Sequence, residues 1–204
     1  MKIGVFGGTF DPIHNAHLFV AESARQLEGL DKVLFVPTNL THYRTPPLAG
    51  ADDRCAMVAA ALASNPHFAL DRSDLAEGAT GYTADLIPNL QSRYPNDAFT
   101  FIIGADSLAS GNWVRFQEVL AQLETFVVAP RAGVSETTLS RTIEGVPIAL
   151  RNKVKALNLP EIPESATLIR KLLADSKSVR YLVPETVWRY IVEHELYTIK
   201  NEVA

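Results

Sequence analysis

The chain has 204 residues, 47% of them hydrophobic, a formal net charge of −4 and a single cysteine, Cys55. That length and apolar content suffice for one large core, and no Ser/Gly-rich linker, repeat or low-complexity tract divides residues 1–204, so a single domain is expected. The acidic balance argues against a partner held along nucleic-acid backbone, the lone thiol excludes internal disulfides and cysteine metal cages, and no run approaches the roughly 18 apolar residues of a membrane span.

In chain order, the apolar run Lys2–Phe6 reads as a strand, Gly7 and Gly8 as a tight turn, and the segment carrying His14 and His17 as a helix entry. Lys32–Val36 is a second strand, Asp52–Ser64 a helix enclosing Cys55, Phe68–Asp71 a third strand, and Tyr82-Thr83 a helix start. Phe99–Ile103 and Thr125–Ala129 are further strands, whereas 132–160 mixes strand-like Val146–Leu150 with polar stretches. Ser165 and Thr167 precede a helical run through Leu173, and Pro184 suits the start of a last helix over Glu185–Leu196. Strands without inside/outside alternation, such as Val33–Val36 and Phe101–Ile103, fit parallel neighbours covered on both faces. The fold class expected is α/β: a doubly wound, Rossmann-like parallel sheet with helices on both faces and a helical C-terminal segment over 165–204. In such a sheet ligands sit at the carboxyl ends of the strands, which is where Gly7-Gly8, Pro37–Pro47, Gly104-Ala105-Asp106 and Pro130-Arg131 all fall.

The first motif has nucleotide chemistry in it. Gly7 and Gly8 can adopt dihedrals closed to other residues, amides at a helix start attract phosphate, and His14 and His17 share one helix face. The string Gly7-Gly8-Thr9-Phe10-Asp11-Pro12-Ile13-His14, closed by His17, resembles the signature of the nucleotidyltransferase superfamily, although Ala16 stands where that signature has glycine. An added methyl there is acceptable if the residue is helical. Over nearly its whole length the chain is similar to bacterial nicotinate-nucleotide adenylyltransferases, through Gly81-Tyr82-Thr83, Ile103–Leu108, Trp113, Val127–Arg131, Ser165–Arg170 and Tyr181–Pro184.

The resemblance implies joining of ATP to nicotinate mononucleotide to give nicotinate adenine dinucleotide and pyrophosphate, a step in NAD biosynthesis, with Mg2+ carried on ATP. It implies His14 and His17 as catalytic donors, and Gly7, Gly8, Thr9, Phe10, Asp106, Ser165, Thr167 and Arg170 as further ATP contacts. It assigns His42, Tyr82, Thr83, Trp113 and Arg131 to the nicotinate mononucleotide. On their own chemistry, Ser165, Thr167 and Arg170 are equally a helix cap with a solvated arginine, Trp113 a core residue, and Thr83 and Asp106 plain caps. The family commonly has Pro-Pro-His followed by a cation where this chain has Thr41-His42-Tyr43-Arg44, so a phosphate contact there passes to Arg44 or is lost. Asp11 is read as shaping the Asp-Pro turn rather than ligating metal, and His67 and His194 as structural or exposed. No metal site, nucleic-acid surface or membrane contact is expected, the location expected is the cytoplasm, and nothing in the residues speaks for an oligomeric state. Two alternatives stay open: an adenylyltransferase for another phosphorylated acceptor, such as nicotinamide mononucleotide or phosphopantetheine, and a non-catalytic ATP-binding relative.

Overall fold

The computed structural model describes residues 1–38, 46–110, 113–130, 136–160 and 162–198. Six strands form one sheet: β1 (Lys2–Gly8), β2 (Lys32–Pro37), β3 (Phe68–Leu70), β4 (Ala98–Gly104), β5 (Thr125–Ala129) and β6 (Val154–Ala156). Their order is β3-β2-β1-β4-β5-β6 and every pairing is parallel. The chain moves outward one way after β1 and the other way after β4, so these central neighbours diverge at their carboxyl ends and open a crevice between them.

Both faces of the sheet are buried, because alternate residues of each strand serve different cores. Phe6, Val33, Phe35, Ile102 and Val127 pack on one side with α1 (Asn15–Leu27), α2 (Ala51–Leu62), α8 (Ala166–Ala174) and α9 (Glu185–Glu193). Ile3, Val5, Leu34, Phe99, Phe101 and Phe126 pack on the other with α3 (Thr83–Arg93), α4 (Ala105–Ala109) and α5 (Phe116–Gln122). The expected strands are all present, Thr125–Ala129 to the residue and the others extended by a residue or two or trimmed by one at their ends. One expectation changes. Val146–Leu150 is not a strand: Ile148–Arg151 forms a short helix, α7, after α6 (Glu136–Glu144), and the sheet's sixth strand follows at Val154–Ala156. Pro147 sits at the start of that turn and suits a helix opening better than a ladder position.

The C-terminal helices are docked, not appended. Thr186 Oγ1 donates to the Ala60 carbonyl at 2.9 Å and the Tyr190 hydroxyl donates to Asp53 at 3.0 Å, fixing α9 along α2. Asn15 donates through its backbone amide to the Leu182 carbonyl at 3.0 Å and through Nδ2 to the Tyr181 carbonyl at 2.7 Å. The entry to α9 is thereby tied to the first turn of α1. Among the described residues no helix is long and apolar enough to cross a membrane.

Candidate active site

A cavity of about 480 Å³ opens at the carboxyl ends of β1, β4 and β5. Gly7, Gly8, Thr9, His14 and His17 line it from one side, Asp106 and Ser107 from the β4 end, and Thr167 and Arg170 from α8. Leu159, Pro160, Ile162, Ala129 and Val20 supply an apolar wall. The amino-terminal imidazoles and the hydroxyl–guanidinium pair of α8 therefore face one space, as the motif reading required. Leu159 and Pro160 lie at the end of 132–160, the segment whose sequence is hardest to read, and Ile162 just beyond it.

The histidines are held closely. Their rings stack at 3.7 Å with a 29° interplanar angle, and the His14 amide donates to His17 Nδ1 at 3.2 Å. Because Nδ1 accepts, a neutral His17 carries its proton on Nε2. Phe6 and Phe10 set their edges against the His17 ring at 5.9 and 5.1 Å. Phe10 is 2% exposed and adopts φ 49°, so its side chain supports the imidazole from below, and contact with a nucleotide would come through its main chain.

The glycines act differently from the expectation. Gly7 and Gly8 belong to β1 and neither has positive φ; the left-handed residue of the loop is Phe10. Space is the constraint instead: a Cβ on Gly8 would meet the Phe10 ring at 3.1–3.4 Å, and one on Gly7 the Phe101 ring at 3.3 Å. Ala16 lies within α1, so its methyl carries no backbone strain, and it is part of the cavity lining. The amide of Asn15 is taken by the Leu182 carbonyl, so this first amide of α1 is not turned to the cavity.

On the opposite side, Arg170 donates from Nη1 to the Asp11 carbonyl at 2.7 Å and from Nη2 to Thr167 Oγ1 at 3.4 Å. Ser165 is the N-cap of α8, its Oγ accepting from the Leu168 amide at 3.2 Å, and it is not among the residues lining the cavity. Sequence reasoning missed Arg54, which has no exposed surface and donates from Nη1 to the carbonyls of Thr9 and Thr38 at 2.6 and 2.8 Å. Burial pulls its pKa down while the Asp11 charge pushes it back up. A signal was present: Arg54, Met57, Val58 and Ala61 share the buried stripe of α2, and a guanidinium on such a stripe requires internal acceptors.

A second, smaller cavity of about 90 Å³ adjoins the first, sharing Gly7, Gly8, Thr9 and Ser107 with it. Thr38, Asp74, Gly81, Thr83, Phe101 and Trp113 line it. Trp113 Nε1 donates to the Ser107 carbonyl at 3.0 Å, and Phe101, Phe116 and Phe126 surround its ring at 5.3–6.1 Å. Its indole is thus both a core residue and a cavity wall. Tyr82 caps α3 and Thr83 begins it; Thr83 reaches the second cavity and Tyr82 does not line it. His42, Tyr43, Arg44 and Arg131 lie outside the described residues.

A family model described as cytidylyltransferase-like matches residues 5–172. The chain belongs to the cytidylyltransferase-like family. Within it, the chain is 38% identical over 198 residues to a protein of Bacillus pumilus named "Probable nicotinate-nucleotide adenylyltransferase", covering 96% of this chain and 98% of that one. A protein of the same name from Exiguobacterium sibiricum is 40% identical over 198 residues, covering 97% and 99%. Among solved structures, the nicotinic acid mononucleotide adenylyltransferase of Plasmodium falciparum complexed with NaAD superposes with a TM-score of 0.72 at 19% identity, over 96% of this chain and 97% of that one. At that identity the likeness establishes the shared Rossmann-like fold.

Proposed function

We propose that this chain is an adenylyltransferase joining ATP to nicotinate mononucleotide, with nicotinate adenine dinucleotide and pyrophosphate as products. The observation that carries this reading is the convergence of His14, His17, Thr167 and Arg170 on one cavity, joined at Gly7–Thr9 to a second that holds Thr83 and Trp113. A donor-rich chamber with an apolar wall suits ATP. The adjoining pocket, with an indole and a helix start, suits a flat pyridine ring bearing a carboxylate. The names of full-length relatives at 38% and 40% identity support the same pair of substrates.

An oxygen of the acceptor's 5′-phosphate attacks the α-phosphorus of ATP, a new P–O bond forms, and the bond to the bridging oxygen breaks as pyrophosphate leaves. The nucleophile is already anionic, so catalysis reduces to positioning and charge stabilisation. His14 and His17 stabilise the transferring phosphoryl oxygens, Thr9 and the main chain of Gly7–Phe10 orient the α-phosphate, and Ser165, Thr167 and Arg170 hold the departing end. Asp106 receives ribose hydroxyls; Thr83 and Trp113, at the helix start that Tyr82 caps, receive the nicotinate. Among the described residues no three His, Cys, Asp or Glu side chains gather as a metal cage, whereas Asp106 stands in the chamber. That donor set fits Mg2+ arriving on the triphosphate, with phosphate and water supplying the remaining ligands and charge neutralisation as its chemistry. A step of this kind belongs in the cytoplasm, where ATP is made.

Asp74 also lines the smaller cavity, so the choice between a carboxylate and a carboxamide on the acceptor ring is one for the rates to decide. Pyrophosphate release should therefore be measured with ATP, Mg2+ and, separately, nicotinate mononucleotide, nicotinamide mononucleotide or phosphopantetheine. Fastest release with the nicotinate form is expected. An equal or faster rate with the nicotinamide form overturns the acid preference, and no release with any acceptor overturns the enzyme.

A further inference from the structure

The carboxylate of Asp11 collects donors that the sequence keeps far apart. Oδ2 accepts from the Leu48 amide at 2.8 Å, and Oδ1 accepts from the Ala49 amide at 3.1 Å and from the Tyr197 hydroxyl at 2.7 Å. Asp11 is 4% exposed, so its charge depends on these neighbours. Arg170 reaches the same residue in another way. Its Nη1 donates to the Asp11 main-chain carbonyl at 2.7 Å yet stands 3.8 Å from the carboxylate Oδ2.

A guanidinium beside an under-satisfied carboxylate closes onto it in a short, often bidentate pair, and its donors are then consumed. Here three neutral donors already serve the carboxylate, and Arg170 pairs with it only at the long distance of 3.8 Å while the main-chain carbonyl takes Nη1 at 2.7 Å. Tyr197 is the donor among the three that belongs to neither the motif loop nor the strap at 48–49; it comes from beyond α9. Burial first, and the Asp11 charge second, push the ionisation of its hydroxyl far above the ordinary tyrosine range, so it donates at any working pH.

We propose that Tyr197 is a positioning residue for the adenylyl transfer: by saturating Asp11, its hydroxyl keeps the Arg170 guanidinium turned to the chamber and available to the triphosphate. The proposal rests on Arg170 being a phosphate ligand. It gives the chain beyond α9 a share in ATP recognition without any contact to the nucleotide.

The test is a double-mutant cycle on the full chain, with pyrophosphate release read against ATP concentration and thermal unfolding followed for each variant. Tyr197→Phe keeps the ring and removes the donor; a rise of roughly five- to tenfold in KM for ATP is expected, with KM for the acceptor within about twofold. In an Arg170→Ala background the same substitution should add nothing further, because the group it positions is gone. In an Asp11→Asn background it should also be silent, since no carboxylate charge remains to draw Arg170 away. A rise that tracks lost thermal stability and adds fully to that of Arg170→Ala overturns the proposal. Wild-type KM in Tyr197→Phe beside an impaired Arg170→Ala overturns it alone, whereas an unimpaired Arg170→Ala removes Arg170 from ATP binding and the positioning role with it.

Discussion

A neutral His17 has one proton to place, and the amide of His14 decides where: with Nδ1 accepting at 3.2 Å, Nε2 is the donor. A donor fixed before the reaction begins stabilises developing phosphoryl charge without reorganisation, so His17→Ala should lower turnover roughly 10²–10³-fold. Pyrophosphate release at saturating ATP measures this, and unchanged turnover would take the imidazole out of the mechanism. Arg54 works one layer deeper, where Nη1 fastens the carbonyl of Thr9, after β1, to that of Thr38, after β2. Arg54→Met removes the guanidinium's own desolvation cost but strands two carbonyls. With each buried orphan worth about 1–3 kcal/mol, a net loss of about 2–4 kcal/mol in unfolding free energy is expected, read from urea denaturation. A stability equal to wild type would mean that the carbonyls find water.

At the level of the element, Ser165 caps α8, and the proposed function adds a ligand contact to that duty. Ser165 Oγ accepts from the Leu168 amide, and the hydroxyl keeps its own proton to give. Ala and Gly separate the two duties, since Gly at an N-cap costs only a few tenths of a kcal/mol and Ala about 1 kcal/mol. Ser165→Gly is expected to preserve most of the stability and still raise KM for ATP several-fold; a KM at the wild-type value would leave Ser165 as a cap alone. The same element-level reasoning explains which parts of the fold were legible. Thr125–Ala129 could be read to the residue because four β-formers and an alanine, all buried, stand in a row ahead of a proline. Val146–Leu150 misled because a short apolar run carries no period long enough to separate a strand from a helical turn. The glycine pair reads as a turn after the first strand yet closes that strand itself, and the reason for it, two phenyl rings against the main chain, is a contact that no local pattern contains.

Across the whole molecule, the proposed function uses two cavities that meet at the carboxyl ends of β1 and β4, where the strand order reverses. That arrangement makes the two substrates separable. Trp113→Ala should raise KM for the acceptor up to about tenfold, the scale of a lost aromatic stack, and leave KM for ATP unchanged. Ligand-induced shifts of thermal unfolding provide the check, with ATP still stabilising the variant and the acceptor no longer doing so. Loss of both shifts together would show that the indole mainly holds up the core shared with Phe101, Phe116 and Phe126.

Residues alone determined the alternation of strands and helices, the parallel sheet with two buried faces, and the motif carrying His14 and His17, because each of these is encoded in local spacing and composition. Tertiary structure decided what long-range contact decides: that α8 faces the same chamber as those imidazoles, that Arg54 clamps the loops after β1 and β2, and that Tyr197 reaches Asp11 at 2.7 Å. Hydrophobic periodicity specifies which side of an element is buried but not against what. The partners of Arg54, Asp11 and Tyr197 come into being only when distant segments close on one another.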